Sequence, residues 1–142
     1  LFNSGRPVLL APPGWYGSIG QRVLVAWSGK RESARALADA APFVETAASV
    51  TVATVADRID TGHGSAQAVA GHLARHGVKA DVRVASPSAK DEGQILLEIA
   101  KSVDADLIVM GGYGHARAAE FVFGGVTREL SRTSPIPLLL SH

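Results

Sequence analysis

Short apolar runs alternate along the chain with longer segments in which apolar residues recur every three to four positions. The runs consist mainly of aliphatic residues, as in strands buried on both faces. They lie at 22–27, 49–56, 78–84, 107–110 and 136–141. The longer segments, at 32–48, 65–76, 90–103 and about 116–133, have the periodicity of amphipathic helices. This alternation predicts an α/β fold with a right-handed, mostly parallel, doubly wound sheet.

The segment 78–84 differs from the other predicted strands. Its apolar residues occupy every second position, at Val78, Ala80, Val82 and Val84. Because successive side chains of a strand point to opposite faces, this pattern is typical of a strand with one solvated face. We expect this strand at a more exposed edge of the sheet.

A weak repeat joins the two ends of the chain. The segment Pro7-Val8-Leu9-Leu10 resembles Pro137-Leu138-Leu139-Leu140, 130 positions later. A strand repeated at that distance favours a tandem protein, with 1–11 the trailing strand of a preceding repeat, 12–20 a linker and 21–142 a complete copy. The alternative is chance, because proline followed by three aliphatic residues is a common pattern.

Composition narrows the function classes. The chain has 142 residues, 46% of them apolar and 19% charged, which suits one domain with a proper core. A net charge of +1 gives no field that would favour nucleic acid. There are no cysteines, and no apolar run approaches the length of a membrane helix. We expect a cytoplasmic protein without membrane or nucleic-acid partners.

Glycines follow the strand at 107–110. Gly111, Gly112 and Gly114 come directly after it, and Gly124-Gly125 stands ten residues beyond Gly114. Loops at the carboxyl ends of parallel strands are where open α/β sheets bind ligands, and backbone N–H groups there can hold phosphate. The alternative is that these glycines only allow close packing of strands and helices.

The spacing Gly111-x2-Gly114-x9-Gly124, with Met110 before it and Val126-Thr127 after it, resembles the nucleotide loop of the universal stress protein family. The resemblance covers roughly residues 21–142. It implies a five-stranded parallel sheet of order 3-2-1-4-5, like that of the adenine-nucleotide alpha-hydrolases. It also implies a regulatory role in the stress response, with bound ATP or AMP and with Mg²⁺ only if ATP is bound.

The same resemblance implies a set of cofactor-binding residues. Backbone N–H groups and one hydroxyl would hold the phosphates, and the ends of the first, second and fourth strands would form the rest of the crevice. The set is Ala26, Trp27, Ser28, Val55, Met110, Gly111, Gly114, Gly124, Gly125, Val126 and Thr127. Two alternatives stay open: Val55 is an ordinary core valine, and Trp27 serves packing rather than base stacking.

Two positions depart from the family pattern. Ser28 stands where the nucleotide binders have Asp, and Gly125 stands where they have Ser or Thr. Loss of a carboxylate and a hydroxyl predicts binding weakened by roughly one to three powers of ten. The alternative function is a nucleotide-free structural half of a tandem stress protein.

The resemblance also implies pairing through the edge of the last strand. One possibility is a homodimer across that edge. The other is an intramolecular pseudo-dimer, in which Arg6 to Ala11 lies against Ile136 to Leu140. The ten residues between can span up to about 33 Å, more than enough to cross three strands.

No set of catalytic groups is visible. The chain has no Walker A motif and no recognisable nucleophile–base arrangement. His72 and His76 stand four apart on a predicted helix, but the sequence places no third metal ligand near them. We therefore predict no enzyme activity, although weak ATPase activity is not excluded, and no metal site.

Overall fold

The computed structural model describes residues 6–56, 62, 64–112 and 125–142, which form one six-stranded sheet with helices on both faces. The elements are β1 (Val8–Leu10), β2 (Arg22–Ala26), α1 (Arg31–Asp39), α2 (Ala41–Val44), β3 (Ser49–Val55), α3 (Ala66–Arg75), β4 (Ala80–Ala85), α4 (Glu92–Ser102), β5 (Leu107–Gly111), α5 (Gly125–Thr133) and β6 (Leu138–Ser141).

The sheet has the order β1-β6-β5-β2-β3-β4. Strands β2 to β6 are parallel to their neighbours in this group and correspond to the five predicted strands, so the doubly wound order 3-2-1-4-5 is confirmed. Strand β4 forms one outer edge, as its alternating pattern predicts. Strand β2 lies between β3 and β5. The chain runs from β2 outward to β3 and β4, and it then crosses back to β5 on the other side of β2, so the strand order reverses at β2. A crevice is expected at the carboxyl ends of β2 and β5.

The extra strand at the amino-terminal side covers the other edge. Strand β1 is antiparallel to β6, with Leu9 opposite Leu139, Val8 opposite Leu140 and Leu10 opposite Leu138. Of the two predicted uses of this edge, the structure contains the intramolecular one. The last parallel strand is therefore an inner strand, and its backbone groups are satisfied within the chain.

The core consists of two apolar clusters, one on each face of the sheet. Helices α1, α2 and α3 cover the face that includes Val25 and Val109. Helices α4 and α5 cover the face that includes Leu24 and Ile108. Strands buried on both sides explain the unbroken aliphatic runs in the sequence. Within the described residues, none of the helices has the length and apolar character needed to cross a bilayer.

The helix predicted over 32–48 is wrong in its length. Helix α1 ends at Asp39, and the short α2 begins at Ala41. Pro42 lies in the first turn of α2, where its missing N–H is tolerated, whereas the interior of a continuous helix would lose a hydrogen bond there. The apolar periodicity continues across the break, so periodicity alone did not reveal it.

The buried carboxylate of Asp106 attaches the linker to the sheet. It accepts hydrogen bonds from the Ser18 hydroxyl at 2.5 Å and from the backbone N–H groups of Gly20, Gln21 and Arg22 at 3.1, 3.1 and 2.8 Å. Burial by itself raises the pKa of Asp106, but these hydrogen bonds and the Arg22 charge outweigh it and lower the pKa below its ordinary value. The end of the linker is thereby held at the starts of β2 and β5.

Candidate functional site

A cavity of about 180 Å³ opens at the carboxyl ends of the central strands. All described residues of the predicted binding set line it: Ala26, Trp27, Ser28, Val55, Met110, Gly111, Gly125, Val126 and Thr127. Gly114 and Gly124 lie outside the described residues. The fold therefore brings together positions that are as much as about 100 residues apart in the sequence. Their role as ligand contacts stays a prediction.

A second cavity of about 300 Å³ adjoins the first, toward the ends of β3 and β4 and the start of α3. Trp27, Ser28, Lys30, Val55 and Glu92 line both cavities. We call the two together the crevice. Its first part lies against the beginning of α5, and its second part lies against residues on either side of Val55.

Trp27 forms part of the wall of the crevice. Its indole N–H donates to the carbonyl oxygen of Gly64 at 2.7 Å, which links the end of β2 to the segment before α3. Its side chain is half-buried and packs against the same apolar cluster as Leu37 and Phe43. These contacts favour the packing interpretation of Trp27 over base stacking.

Ser28 begins the turn between β2 and α1. Its hydroxyl donates to the Ser33 hydroxyl at 3.2 Å, and Ser33 in turn donates to the carbonyl oxygen of Lys30 at 2.8 Å. Gly29 between them has a φ of 71°, a conformation that favours glycine. The turn is held by its own hydrogen bonds, and Ser28 brings no negative charge to the crevice.

The two glycines that line the first cavity have different surroundings. A Cβ atom added to Gly111 would lie 2.6 Å from the backbone carbon of Glu32 and 2.7 Å from the backbone nitrogen of Ser33. Gly111 therefore lets β5 approach the first turn of α1, as the packing alternative states. A Cβ atom at Gly125 would meet no atom of the described residues within 4 Å. Among these residues, none fills the space beside Gly125 at the start of α5.

The first turn of α5 faces the first cavity. Gly125 is exposed, Val126 is half-buried and Thr127 is buried. The first N–H groups of a helix have no partner within it and carry partial positive charge, so this position suits an anion. Met110 at the end of β5 lies against the same space.

Glu92 is a crevice residue that the sequence analysis missed. It is the first residue of α4, after the N-cap Asp91. An acidic residue in a first turn normally indicates only a favourable interaction with the helix dipole. The sheet order is the signal that could have found it, because this order carries the start of α4 to the carboxyl ends of β2 and β3.

Near the crevice, the carboxyl group of Glu129 on α5 packs against the first turn of α4. Oε2 of Glu129 is buried and has no hydrogen-bond partner among the described residues. Burial, together with the nearby Asp91 carboxyl, raises the pKa of Glu129, while Gln94 acts in the opposite direction. Gly93 makes room for this side chain, because an added Cβ would lie 2.5 Å from Oε2.

A larger cavity lies elsewhere. It has a volume of about 900 Å³ and lies at the amino ends of the strands, between the linker and the end of α4. Trp15, Arg22, Asp104 and Ile136 are among its lining residues, and none of the predicted binding residues is. Ligand sites of open α/β sheets lie at the carboxyl ends of the strands, so we place the candidate site in the smaller crevice.

His72 and His76 lie exposed on α3 with their ring centroids 4.7 Å apart. In the described part of the chain, no group of three or more His, Cys, Asp or Glu side chains is arranged to hold a metal ion.

The fold is that of a doubly wound α/β protein with a crevice at the carboxyl ends of β2 and β5, where the strand order reverses. A sequence model of the universal stress protein family matches residues 20–142, and the chain belongs to that family. None of the curated proteins matches the sequence.

Solved structures of the family share the fold. A universal stress protein from Archaeoglobus fulgidus DSM 4304 has a TM-score of 0.79 and 21% identity, and the match covers 98% of this chain and 50% of that one. The chain thus spans about half the length of that protein. A family protein from Burkholderia pseudomallei is 23% identical, with a TM-score of 0.63 over 87% of this chain and 97% of its own. A universal stress protein solved in complex with cAMP is 24% identical, with a TM-score of 0.66 over 86% and 96%.

Proposed function

We propose that this chain is a regulatory universal stress protein domain that binds an adenine nucleotide, AMP or ATP, weakly in the crevice. The observation that carries the proposal is the convergence of the ends of β2, β3 and β5 and the first turn of α5 on one cavity. The cAMP complex of a similar protein supports an adenine nucleotide as the ligand class. Mg²⁺ would accompany ATP only, through the phosphates.

The two departures from the family pattern set the expected affinity. Ser28 supplies a hydroxyl in place of a carboxylate, and Gly125 supplies only its N–H. Since hydrogen bonds to charged groups are worth about 1.5–3 kcal/mol each, the site should be weaker than one with Asp and Ser by roughly one to three powers of ten. Bound nucleotide then follows the cellular concentration, as a regulatory module requires.

Titration calorimetry of AMP and ATP tests this. We expect saturable binding with a dissociation constant near the millimolar range, and tighter binding by about ten- to a thousandfold in the variant Ser28→Asp with Gly125→Ser. The second substitution is compatible with the fold because a Cβ atom added at Gly125 meets none of the described residues within 4 Å. Absence of binding in both proteins would contradict the proposal.

A second candidate, a structural half of a two-domain assembly, is favoured by the register of β1 on β6. Equivalent positions of the two repeated segments exchange partners: Val8 pairs with Leu140, Leu10 with Leu138, and Leu9 with Leu139. Two copies of one strand related by a two-fold axis pair in this way. The match to half of a longer universal stress protein also supports this candidate. In this reading β1 acts as the last strand of a preceding repeat.

Deletion of residues 1–11 tests the second candidate. Without β1, the edge of β6 is open, and we expect the chain to dimerise through two β6 strands, as measured by light scattering after gel filtration. A chain that lacks only residues 1–5 keeps β1 and should behave as the full chain does. If the longer deletion leaves the protein monomeric while the fold is intact, the symmetric register of β1 on β6 does not indicate a surface for pairing with a second domain.

A further inference from the structure

The carboxylate of Glu92 is unusual among the acidic side chains near the crevice. Among the described residues it makes no hydrogen bond and no ion pair, and it is exposed. The neighbouring Asp91 accepts from the backbone N–H of Gly93 at 3.1 Å, and Glu98 on the same helix pairs with Lys90. Glu92 therefore has acceptor oxygens to offer to a ligand.

Glu92 also lies at the junction of the two cavities. The first cavity has Met110 and the first turn of α5 on its own side, and the second has Thr54, Ala56 and Gln67. In a nucleotide the sugar connects the phosphate to the base. If phosphate lies at the start of α5 and the base lies beside Val55, then the sugar lies between them, at residues common to both cavities.

The other residues at the junction are less suited to a sugar. The Trp27 indole N–H is a donor already used by Gly64, and the Ser28 hydroxyl, which donates to Ser33, is a neutral acceptor and so weaker than a carboxylate. Val55 has an apolar side chain, and the Lys30 ammonium is a donor without acceptor capacity. A ribose diol donates two O–H groups, for which a carboxylate is the best matched acceptor, as in other α/β nucleotide sites.

We propose that the Glu92 carboxylate accepts hydrogen bonds from the 2′- and 3′-hydroxyls of the bound nucleotide and so makes the crevice selective for ribonucleotides. This inference rests on the proposed nucleotide function. It assigns to α4 the carboxylate that Ser28 does not provide at the end of β2. It also predicts that nucleotides without the diol bind less well.

Calorimetric titrations of AMP, 2′-deoxy-AMP and 3′-deoxy-AMP against three proteins test the inference. The proteins are the unmodified chain, Glu92→Gln and Glu98→Gln. The last is a control for loss of an exposed carboxylate on the same helix outside the crevice, where Glu98 pairs with Lys90. For AMP we expect Glu92→Gln to weaken binding by about tenfold and Glu98→Gln to leave it unchanged. The unmodified chain should prefer AMP to both deoxy forms by a similar factor, and Glu92→Gln should lose this preference.

Four results would overturn the inference. If Glu92→Gln weakens AMP and the deoxy forms equally, the carboxylate does not contact the hydroxyls. If it tightens nucleotide binding, and tightens ATP more than AMP, the carboxylate faces the phosphates and repels them. If AMP binds equally well to all three proteins, Glu92 has no contact with it. If AMP binds to none of them, the proposed function itself fails, and the role of Glu92 fails with it.

Discussion

At the scale of single residues, the carboxylate of Asp106 is a structural acceptor for several donors at once. Its four hydrogen bonds hold the end of the linker against β2 and β5. The change Asp106→Asn replaces one acceptor oxygen with an amide that faces backbone donors, so we expect it to lower the free energy of unfolding by about 2–4 kcal/mol. Urea unfolding at neutral pH measures this.

Asp104→Asn is the matched control, because this neighbour is exposed and adopts a φ of 50° that Asn tolerates well.

Because the pKa of Asp106 is lowered in the fold, its contribution to the free energy of unfolding is present above the ordinary pKa of Asp and is lost as the pH falls through the lowered value. The unmodified protein should therefore lose more stability than Asp106→Asn on acidification. Equal urea midpoints at neutral pH for the unmodified protein and Asp106→Asn would contradict this account.

The two crevice glycines give a second prediction. Gly111→Ala places a methyl group against the backbone of α1 and should cost about 1–3 kcal/mol, since that backbone has little freedom to move. Gly125→Ala meets open space and should change stability by less than about 0.5 kcal/mol. Thermal unfolding of both variants measures the difference. Similar destabilisation by both would mean that the packing at Gly111 is not as described.

The sequence placed Gly111 at the end of a strand but placed Gly125 inside the helix predicted over about 116–133, and it could not separate the roles of the two glycines. That separation depends on how closely α1 approaches β5, which is a tertiary distance. The same holds for Trp27, whose partner Gly64 belongs to a segment 37 residues away. For Val55 the structure adds a position in both cavities, and its role as a ligand contact stays a prediction.

At the scale of elements, the contact between α4 and α5 depends on pH. The pKa of Glu129 is raised by burial and by Asp91, so the folded state holds a proton that the unfolded state releases. The contribution of Glu129 to stability is then fully present below the ordinary pKa of Glu and is lost as the pH rises through the raised value. Glu129→Gln removes this charge, and we expect it to raise the melting temperature at neutral pH but not in acid.

Melting curves between about pH 4 and pH 8 test this prediction, with Glu98→Gln as the control for loss of an exposed carboxylate. The control should keep the pH dependence of the unmodified protein. If the melting temperatures of the unmodified protein and Glu129→Gln change with pH in parallel, ionisation of the buried Glu129 carboxyl does not destabilise the fold. Because α5 begins at the crevice, a stabilised contact should also leave nucleotide affinity equal or improved.

Most elements could be predicted from periodicity, because strands covered on both faces contain little besides aliphatic residues. The boundaries at Ala40 and Pro42 could not, since the apolar stripe continues through the break and only the proline marks it. The crevice residues on β2, β3, β5 and α5 were predicted through the family resemblance. Glu92 was not, because a first-turn acid has the same appearance whether it faces solvent or a ligand.

At the scale of the whole molecule, the sheet order decides both surfaces of interest. It places β2 beside β5, which opens the crevice, and it leaves β6 to be covered by β1. Pairing of the segment 6–11 with the last strand was one of the two uses of that edge implied by the family resemblance, and the structure adds its symmetric register. A large cavity under the linker involves Trp15 and Asp104, which no pattern in the sequence connects.

The central claim is that adenine nucleotide binds at the carboxyl ends of the strands. Backbone amide shifts in the NMR spectrum of the isotope-labelled chain, recorded during titration with AMP, test it most directly. We predict concerted shifts at Ala26, Val55 and Thr127, with none at Trp15 or Asp104 beneath the linker. Shifts confined to the linker cavity, or no saturable shifts at millimolar AMP, would contradict the account.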